Sequence, residues 1–353
     1  MSEYVQQLSM PPASARTARR ARARWDAIAK PTGSLGVLED AVTKIAALTE
    51  DEHVDISKRC VVVLCADNGV VAEGVSSSGA DVTPIIARSV AHGVSSVCLM
   101  SKPVGIDWLA VDMGMFEPAG DEGVLDRRIA AGTGNISRGP AMTREQAIEA
   151  IRSGVDLVGM LAAQGYRLIA TGEMGIGNTT TATAMACAFL GADPGRLCGR
   201  GSGLDDEGLA RKIGVVRRAL EVNAPDPSDA LDVLAKVGGF DIAGMCGLFL
   251  GGAVHRVPIV VDGLISSVAA WCALRMRPEC GVAMLASHLS AEPAASLVAQ
   301  NLGFEPLLHV GMRLGEGTGA VCMVPLLDMA LSLYSNGTTF DDCGITSYEV
   351  VPR

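Results

Sequence analysis

The chain has 353 residues, of which 49% are hydrophobic, 19% are charged and only 4% are aromatic. Its 29 Lys and Arg against 39 Asp and Glu leave a net charge of −10 at pH 7. The high apolar fraction excludes a disordered chain, and the acidic balance argues against a general nucleic-acid binder, which needs a basic surface.

The N-terminal part of the chain predicts two helices joined by a loop. The first helix covers 13–30, which is rich in Ala and Arg, and the second covers about 38–50. The intervening Lys30-Pro-Thr-Gly-Ser-Leu-Gly36 contains proline and two glycines, which indicates a structured loop. The first twelve residues lack the basic-then-apolar order of a signal peptide, so we expect a cytoplasmic protein.

From residue 60 onward, short apolar runs, polar glycine turns and helical segments alternate. The apolar runs predict strands at 60–66, 106–111, 166–170 and 258–261, and the helical patterns lie at 143–164, 179–190, 209–220, 241–253 and 264–274. This alternation is typical of an α/β fold with a doubly wound parallel sheet and helices on both faces. Ligands of such folds bind beyond the carboxyl ends of the strands, so the turns there are the candidate functional segments.

The length suits a large domain with a small one. We place a Rossmann-like α/β catalytic domain at about residues 51–335. A small helical domain is expected at about residues 1–50 together with C-terminal helical segments.

Neither a membrane span nor a metal centre is expected. The longest apolar runs, 242–254 and 320–327, fall short of the ~20 residues that cross a bilayer. The ten cysteines include no CxxC pair, and the five histidines lack zinc-type spacing. Most cysteines lie in apolar runs, where a thiol behaves as a small hydrophobic group in a reducing compartment. No metal and no cofactor are predicted.

The segment Gly172-Glu-Met-Gly-Ile-Gly-Asn-Thr-Thr-Thr181 is the most informative motif. It follows a predicted strand and opens a predicted helix, whose free N–H groups and positive dipole end favour a phosphate. It is neither a Walker A loop nor a GxGxxG fingerprint. An ordinary helix cap by Asn178 or Thr179 is the alternative, but a cap alone needs neither three glycines nor a buried acid. Phosphate binding is therefore favoured.

A second motif, Arg313-Leu-Gly-Glu-Gly-Thr-Gly319, places Glu316 between two glycines with an apolar segment on each side. A carboxylate in such a turn can be partly desolvated, which makes it a better proton acceptor and a candidate general base. A solvated glutamate in a surface loop explains the spacing equally well.

Weaker signals lie between and beside these motifs. Asp205 and Asp206 could bind a divalent cation, but their position before a predicted helix favours a cap and first-turn acids. Lys212, further along that helix, supplies either a cationic contact or part of a solvated face. His288 has no GxSxG elbow beside it and is predicted to be a satisfied polar residue.

Six motifs in this order resemble those of the nicotinate-nucleotide–dimethylbenzimidazole phosphoribosyltransferase family of cobalamin synthesis, over about residues 25–330. They are Lys30-Pro-Thr-Gly-Ser-Leu-Gly, Cys65-Ala-Asp-Asn-Gly-Val, Gly172-Glu-Met-Gly-Ile-Gly-Asn-Thr-Thr, Gly238-Gly-Phe-Asp, Ser287-His-Leu-Ser-Ala-Glu and Met312-Arg-Leu-Gly-Glu-Gly. The resemblance implies transfer of phosphoribose from nicotinate mononucleotide to 5,6-dimethylbenzimidazole or a related base. The products are α-ribazole 5′-phosphate and nicotinate, with inversion at the anomeric carbon.

The resemblance also implies roles for individual residues. Glu316 matches the catalytic base, and Glu173 is expected beside the reacting centre as a supporting acid. Ser78 and Ile86 are expected to line the pocket of the aromatic base. The residues implied to lie near the nucleotide phosphate are Gly175, Gly177, Asn178, Thr179, Ser290 and, as a weaker match, Lys212.

The resemblance further implies a homodimer, without nucleic-acid or membrane partners. Because no pyrophosphate leaves, the reaction requires no magnesium clamp. A nucleotide-binding hydrolase that uses the same glycine loop is the alternative, and it predicts ATP binding and magnesium dependence. The absence of a P-loop lysine disfavours this alternative.

Overall fold

The computed structural model describes residues 3–346 and 348. Its strands are β1 Arg59–Ala66, β2 Asp107–Gly114, β3 Val124–Asp126, β4 Leu168–Met174, β5 Ile259–Val261 and β6 Met284–Ala286. They form a six-stranded parallel sheet in the order β3-β2-β1-β4-β5-β6. The strand order reverses between β1 and β4, as in Rossmann folds. The predicted α/β fold with a parallel sheet is confirmed.

Each predicted helix forms, with ends close to those expected. The α-helices of the described chain are α1 Glu3–Gln7, α2 Ala15–Ala27, α3 Val37–Thr49, α4 Val82–Ala91, α5 Ser96–Ser101, α6 Arg144–Ala163, α7 Asn178–Leu190, α8 Pro194–Leu197, α9 Asp206–Asn223, α10 Ala230–Val237, α11 Phe240–His255, α12 Leu264–Met276, α13 Ala295–Leu302, α14 Thr318–Asn336 and α15 Phe340–Cys343. Short 3₁₀ turns cover Gly69–Glu73, Lys102–Val104 and Pro278–Ala283. Local capping fixes several starts, as at α6, where Thr143 and Gln146 form a reciprocal capping box.

The sequence of the central strand β1 is an unbroken apolar run because both faces of the strand are buried. Val62 and Leu64 belong to the core formed with α6, α7, α11 and α12, whereas Val61 and Val63 belong to the core formed with α3, α4, α5 and α14. Successive side chains of a strand point to opposite faces, so a sheet covered on both faces needs apolar residues at every position.

The pattern misses β3 and β6, because three residues are too few to show a strand period. It also ends β4 too early. The register of β4 with β1 continues as far as the pair of Cys65 and Met174, so Gly172 and Glu173 belong to the strand and not to the turn after it. Glu173 is therefore held by the sheet.

A small third core packs α2 and α3 against the end of α14. Trp25 and Tyr334 lie there with ring centroids 5.0 Å apart. In the predicted loop beside them, Lys30 Nζ lies 2.7 Å from Glu39 Oε1, and the Glu39 side chain is fully buried. This packing agrees with grouping the first 50 residues with a C-terminal helical segment, and the domain division stays a prediction.

Two stretches of the described chain, Val82–Val104 and Thr318–Asn336, are long and apolar enough by composition to cross a membrane. The first is divided among α4, α5 and a 3₁₀ turn. The second is α14, and half of it is buried inside the molecule. Core helices of globular domains have the same composition, so the expectation of no membrane span stays a prediction.

Helices α6 and α11 cross in backbone contact at glycines. A Cβ on Gly247 would lie 2.1 Å from the carbonyl oxygen of Ile151, and one on Gly154 would lie 2.1 Å from that of Gly244. We expect Gly247→Ala to lower the free energy of unfolding by about 1–3 kcal/mol, because the helices must move apart. Denaturant unfolding measures this loss.

The matched control for this prediction is Gly214→Ala. Gly214 is an exposed position of α9 where an added Cβ meets nothing within 4 Å. Replacing glycine by alanine in an exposed helix favours folding, so this variant should be slightly more stable than the parent. Equal losses in the two variants would contradict the close packing of α6 on α11.

Candidate functional site

A cavity of about 310 Å³ opens at the carboxyl edge of the sheet. Its walls come from the residues that end or follow β4, β5 and β6, from the start of α4 and α7, and from the loop before α14. The predicted site residues that line it are Ser78, Glu173, Gly175, Asn178, Thr179, Ser290 and Glu316. The location agrees with the rule that ligands of doubly wound folds bind beyond the strand ends.

Glu316 lies in a strained turn on the cavity wall. Its φ is +62°, between Gly315 at +88° and Gly317 at +94°, so three successive residues are left-handed. The strand residue Gly172 makes this possible, because a Cβ there would lie 2.3 Å from the carbonyl oxygen of Glu316. A non-glycine residue in this region is unfavourable and is found mainly where geometry serves a function.

The Glu316 carboxylate is partly buried, and its Oε2 accepts a hydrogen bond of 3.2 Å from the backbone N–H of Val97 at the start of α5. The remaining acceptor positions of the carboxylate are open to the cavity that it lines. Glu316 is therefore not a side chain of an open surface loop, which was the equal alternative from its spacing.

Glu173, the next-to-last residue of β4, is 8% exposed. Burial, and then the nearby charge of Asp241, raise its pKa to about 8. Burial also raises the pKa of Asp241 to about 6. The Asn178 side chain donates hydrogen bonds to both carboxyl groups, to Glu173 Oε2 and, at 2.9 Å, to Asp241 Oδ2. At neutral pH Glu173 is therefore largely protonated.

The start of α7 forms a second wall. Gly177 is left-handed with φ +93° and caps the helix. Lys212 of α9, whose side chain is fully buried, donates a hydrogen bond of 2.8 Å from Nζ to Thr179 Oγ1. Burial lowers the pKa of Lys212, while the charge of nearby Glu292 raises it. Lys212 thus contacts a residue of the cavity wall without lining the cavity itself, and it does not lie on a solvated helix face. Asp205 caps α9 as predicted.

The part of the cavity near α4 is aliphatic. Ser78 and Val82 line it, whereas Ile86 lies one turn further along α4 and packs against the core. The other apolar residues of the lining are Met174, Ile176, Leu264, Ile265 and Leu314. No aromatic side chain lines the cavity among the described residues.

Two buried acids, Asp241 and Asp262, received no role from the sequence, although Asp241 ends the motif Gly238-Gly-Phe-Asp. Asp262 follows β5, its Oδ1 accepts a 2.8 Å hydrogen bond from the N–H of Ala320 in α14, and burial raises its pKa. The same oxygen lies 3.8 Å from Nδ1 of His288, which is buried and also lines the cavity. The local signal of Asp262 is a carboxylate at the end of an apolar run, and that of Asp241 is its place in the Gly238-Gly-Phe-Asp motif.

Together these residues put a partly buried carboxylate, a protonated carboxyl group and a helix N-terminus around one cavity, and the buried Lys212 contacts Thr179 at that N-terminus. Such a set can accept a proton, oppose a developing positive charge and hold a phosphate. Within residues 3–346 and 348, no group of three or more His, Cys, Asp or Glu side chains is arranged to hold a metal ion.

Comparisons with known proteins agree with this arrangement. A family model described as phosphoribosyltransferase matches residues 10–345. The nicotinate-nucleotide–dimethylbenzimidazole phosphoribosyltransferase of Acetivibrio thermocellus is 46% identical over 326 residues, which are 92% of this chain and 93% of that protein. The enzyme of the same name from Ruminiclostridium cellulolyticum is 44% identical over 333 residues, 94% of this chain and 95% of that protein.

Solved structures give the same result. The crystal structure of CobT from Thermus thermophilus is 37% identical, with a TM-score of 0.88 over 94% of this chain and 99% of that one. Sequence and fold therefore agree along nearly the whole length. The chain belongs to the nicotinate-nucleotide–dimethylbenzimidazole phosphoribosyltransferase family.

Proposed function

We propose that this chain transfers the phosphoribosyl group of nicotinate mononucleotide to 5,6-dimethylbenzimidazole and releases α-ribazole 5′-phosphate and nicotinate. The relatives that match it over most of their length carry this name. The observation that carries the proposal is one cavity lined by both Glu316 and Thr179, with Lys212 hydrogen-bonded to the Thr179 hydroxyl. The acceptor base, which must lose a proton, and the nucleotide, whose phosphate must be bound, can then occupy the same cavity.

In the proposed reaction, one ring nitrogen of the base attacks the anomeric carbon while Glu316 removes the proton from the other nitrogen. The bond between that carbon and the pyridinium nitrogen of nicotinate breaks, and the nicotinate nitrogen keeps the electron pair. Attack from the face opposite the leaving group converts the β-linkage into an α-linkage. Glu173 and Asp262 line the same cavity, and we propose that the carbonyl oxygen of the protonated Glu173 and the Asp262 carboxyl group face the positive charge that develops on the ribose.

The phosphate of the nucleotide is assigned to the start of α7, next to Thr179, Lys212 and Ser290. We expect Gly177→Val to raise the KM for nicotinate mononucleotide about tenfold or more, because a β-branched residue cannot keep φ near +93° without strain. Steady-state kinetics with varied nucleotide measures the effect.

The matched control is Gly191→Val at the other end of α7. Gly191 is also left-handed, with φ +61°, but a Cβ there meets nothing within 4 Å. This variant should lose some stability and keep its KM. An unchanged KM in Gly177→Val would remove the phosphate from this loop.

The acceptor is proposed to be 5,6-dimethylbenzimidazole or a related base, held by the aliphatic wall near Ser78 and Val82. The test incubates the protein with nicotinate mononucleotide, EDTA and, in separate reactions, 5,6-dimethylbenzimidazole, benzimidazole, adenine or phenol. We expect base-dependent release of nicotinate, fastest with 5,6-dimethylbenzimidazole. Magnesium-dependent ATP hydrolysis without nicotinate release would instead support the nucleotide hydrolase.

We further propose a cytoplasmic homodimer of chains with a small helical domain, without nucleic-acid or membrane partners. All ten cysteines are free, which suits a reducing compartment. Leu99 on α5 and Met329 on α14 are more than half exposed, and large exposed apolar side chains favour a protein contact. Light scattering should give about twice the 36.4 kDa of one chain, and the mass of a monomer would refute the dimer.

A further inference from the structure

The side-chain amide of Asn178 donates its hydrogen bonds to two carboxyl groups and not toward the place proposed for the phosphate. One nitrogen, Nδ2, donates to both Glu173 Oε2 and Asp241 Oδ2. An amide nitrogen carries two hydrogens, so both of its donors are used. Asn178 is 5% exposed, Asp241 is fully buried, and these hydrogen bonds are shielded from water.

The surrounding backbone leaves room for this bridge. A Cβ on Gly175 would lie 2.9 Å from Asp241 Oδ2 and 3.2 Å from Asn178 Nδ2. A Cβ on Gly239 would lie 2.5 Å from Asp241 Oδ1, which accepts a 2.9 Å hydrogen bond from the N–H of Ile242. Two glycines on different segments therefore permit the same three-residue contact.

We propose that Asn178 is a positioning residue, which ties Glu173 on β4 to Asp241 on α11 and so holds the Glu173 carboxyl group against the cavity wall. The inference rests on the proposed function, because it concerns the same cavity and the same reaction. The resemblance implies that Asn178 lies near the phosphate. The proposal instead gives Asn178 the role of positioning Glu173.

The bridge of Glu173, Asn178 and Asp241 affects the pKa of Glu173 in two opposite ways. The groups that face Glu173 are Asn178 on α7, Asp241 on α11, Asp262 after β5, Glu316 before α14 and Cys65 on β1. The charge of Asp241 raises the pKa of Glu173, and the hydrogen bond from Asn178 lowers it. Removing Asn178 and removing Asp241 should therefore shift the titration of Glu173 in opposite directions.

The test compares Asn178→Leu with Asp241→Leu, two variants of similar shape to the parent residues that remove the donor or the charge. Infrared difference spectra recorded against pH follow the protonated carboxyl band of Glu173, identified by its loss in Glu173→Gln. We expect the midpoint to move to higher pH in Asn178→Leu and to lower pH in Asp241→Leu. This readout needs no turnover.

Kinetics of the same variants separate positioning from binding. Asn178→Leu should lower kcat at pH 7 about tenfold to hundredfold, because a group displaced by ~1 Å from its productive position can cost about 100-fold in rate, and it should leave the KM for nicotinate mononucleotide nearly unchanged. Thr183→Val is the control on the same helix, because the Thr183 hydroxyl bonds only to the carbonyl of Thr179 among the contacts described. It should keep the parent kinetics and carboxyl midpoint.

Other outcomes overturn the proposal. A raised KM in Asn178→Leu with an unchanged kcat and carboxyl midpoint would make Asn178 a phosphate ligand. Midpoints that move in the same direction in Asn178→Leu and Asp241→Leu would contradict the proposed bridge. If Asn178→Leu does not fold, Asn178→Asp keeps the shape and should also raise the midpoint. An inactive parent protein with the expected opposite shifts would refute the proposed function and leave the bridge standing.

Discussion

Glu316→Gln is expected to lower kcat by about 10²- to 10⁴-fold, the usual contribution of a positioned general base. Glutamine keeps the size of the side chain and can still accept the hydrogen bond from Val97, but it cannot take a proton from the base. The strained turn is a property of the backbone between Gly315 and Gly317, so the fold should be kept. Nicotinate release under saturating substrates measures kcat.

Two further measurements make this prediction decisive. Calorimetric titration should give nearly the parent affinity for nicotinate mononucleotide, because the phosphate is assigned to Thr179 and Lys212 and not to Glu316. Glu221→Gln, an exposed glutamate on α9, is the control and should keep full activity. Full activity in Glu316→Gln would show that another group takes the proton.

Lys212→Met is expected to weaken the binding of nicotinate mononucleotide about 100-fold, with a smaller effect on kcat. A buried ammonium group forms charge-assisted hydrogen bonds with a phosphate, worth about 1.5–3 kcal/mol for each bond lost. Methionine keeps much of the apolar stem that α9 buries, and it removes a cation whose burial opposes its charge. The folded protein should therefore be at least as stable as the parent in the absence of nucleotide.

The control for Lys212 is Lys236→Met on α10. Lys236 forms a partly exposed ion pair with Asp232, and such pairs contribute little. The dissociation constant for the nucleotide, measured by calorimetry, should rise only in Lys212→Met. A loss of kcat at unchanged affinity would place the phosphate elsewhere and would leave Lys212 a structural role beside Thr179.

The general fold could be predicted from the sequence because its signals are local. The unbroken run of β1 follows from burial on both faces, and the capping residue Thr143 follows from the needs of a helix start. The three-residue strands β3 and β6 carry no such signal, because neighbouring strands decide whether so short a segment pairs.

The site was predictable to the extent that its residues have unusual neighbours in the sequence. Glu316 stands between glycines, which is a local sign of a left-handed turn. Asp262 has ordinary neighbours, and Asp241 stands in the Gly238-Gly-Phe-Asp motif without a role that the motif reveals. Both come close to Glu173 only when β4, β5 and α11 meet. Lys212 has the spacing of a surface residue, and only the packing of α9 on α7 buries it.

Ile86 shows where a residue's role cannot be inferred from its place in a family motif alone. The stretch from Ser78 onward enters α4, where Val82 in the first turn lines the cavity and Ile86, one turn further along the same helix face, packs partly into the core. The choice between them depends on how far along its axis α4 borders the cavity. That position is set by packing of α4 against the sheet, which the motif alone does not contain.

The structure of the product tests the central claim most directly. The parent protein is incubated with nicotinate mononucleotide and 5,6-dimethylbenzimidazole in EDTA, and the purified nucleotide product is examined by NMR for the configuration at its anomeric carbon. The account predicts α-ribazole 5′-phosphate in an amount equal to the nicotinate released. A β-linked product, or ribose 5-phosphate with the base unchanged, would contradict direct transfer with Glu316 as the base.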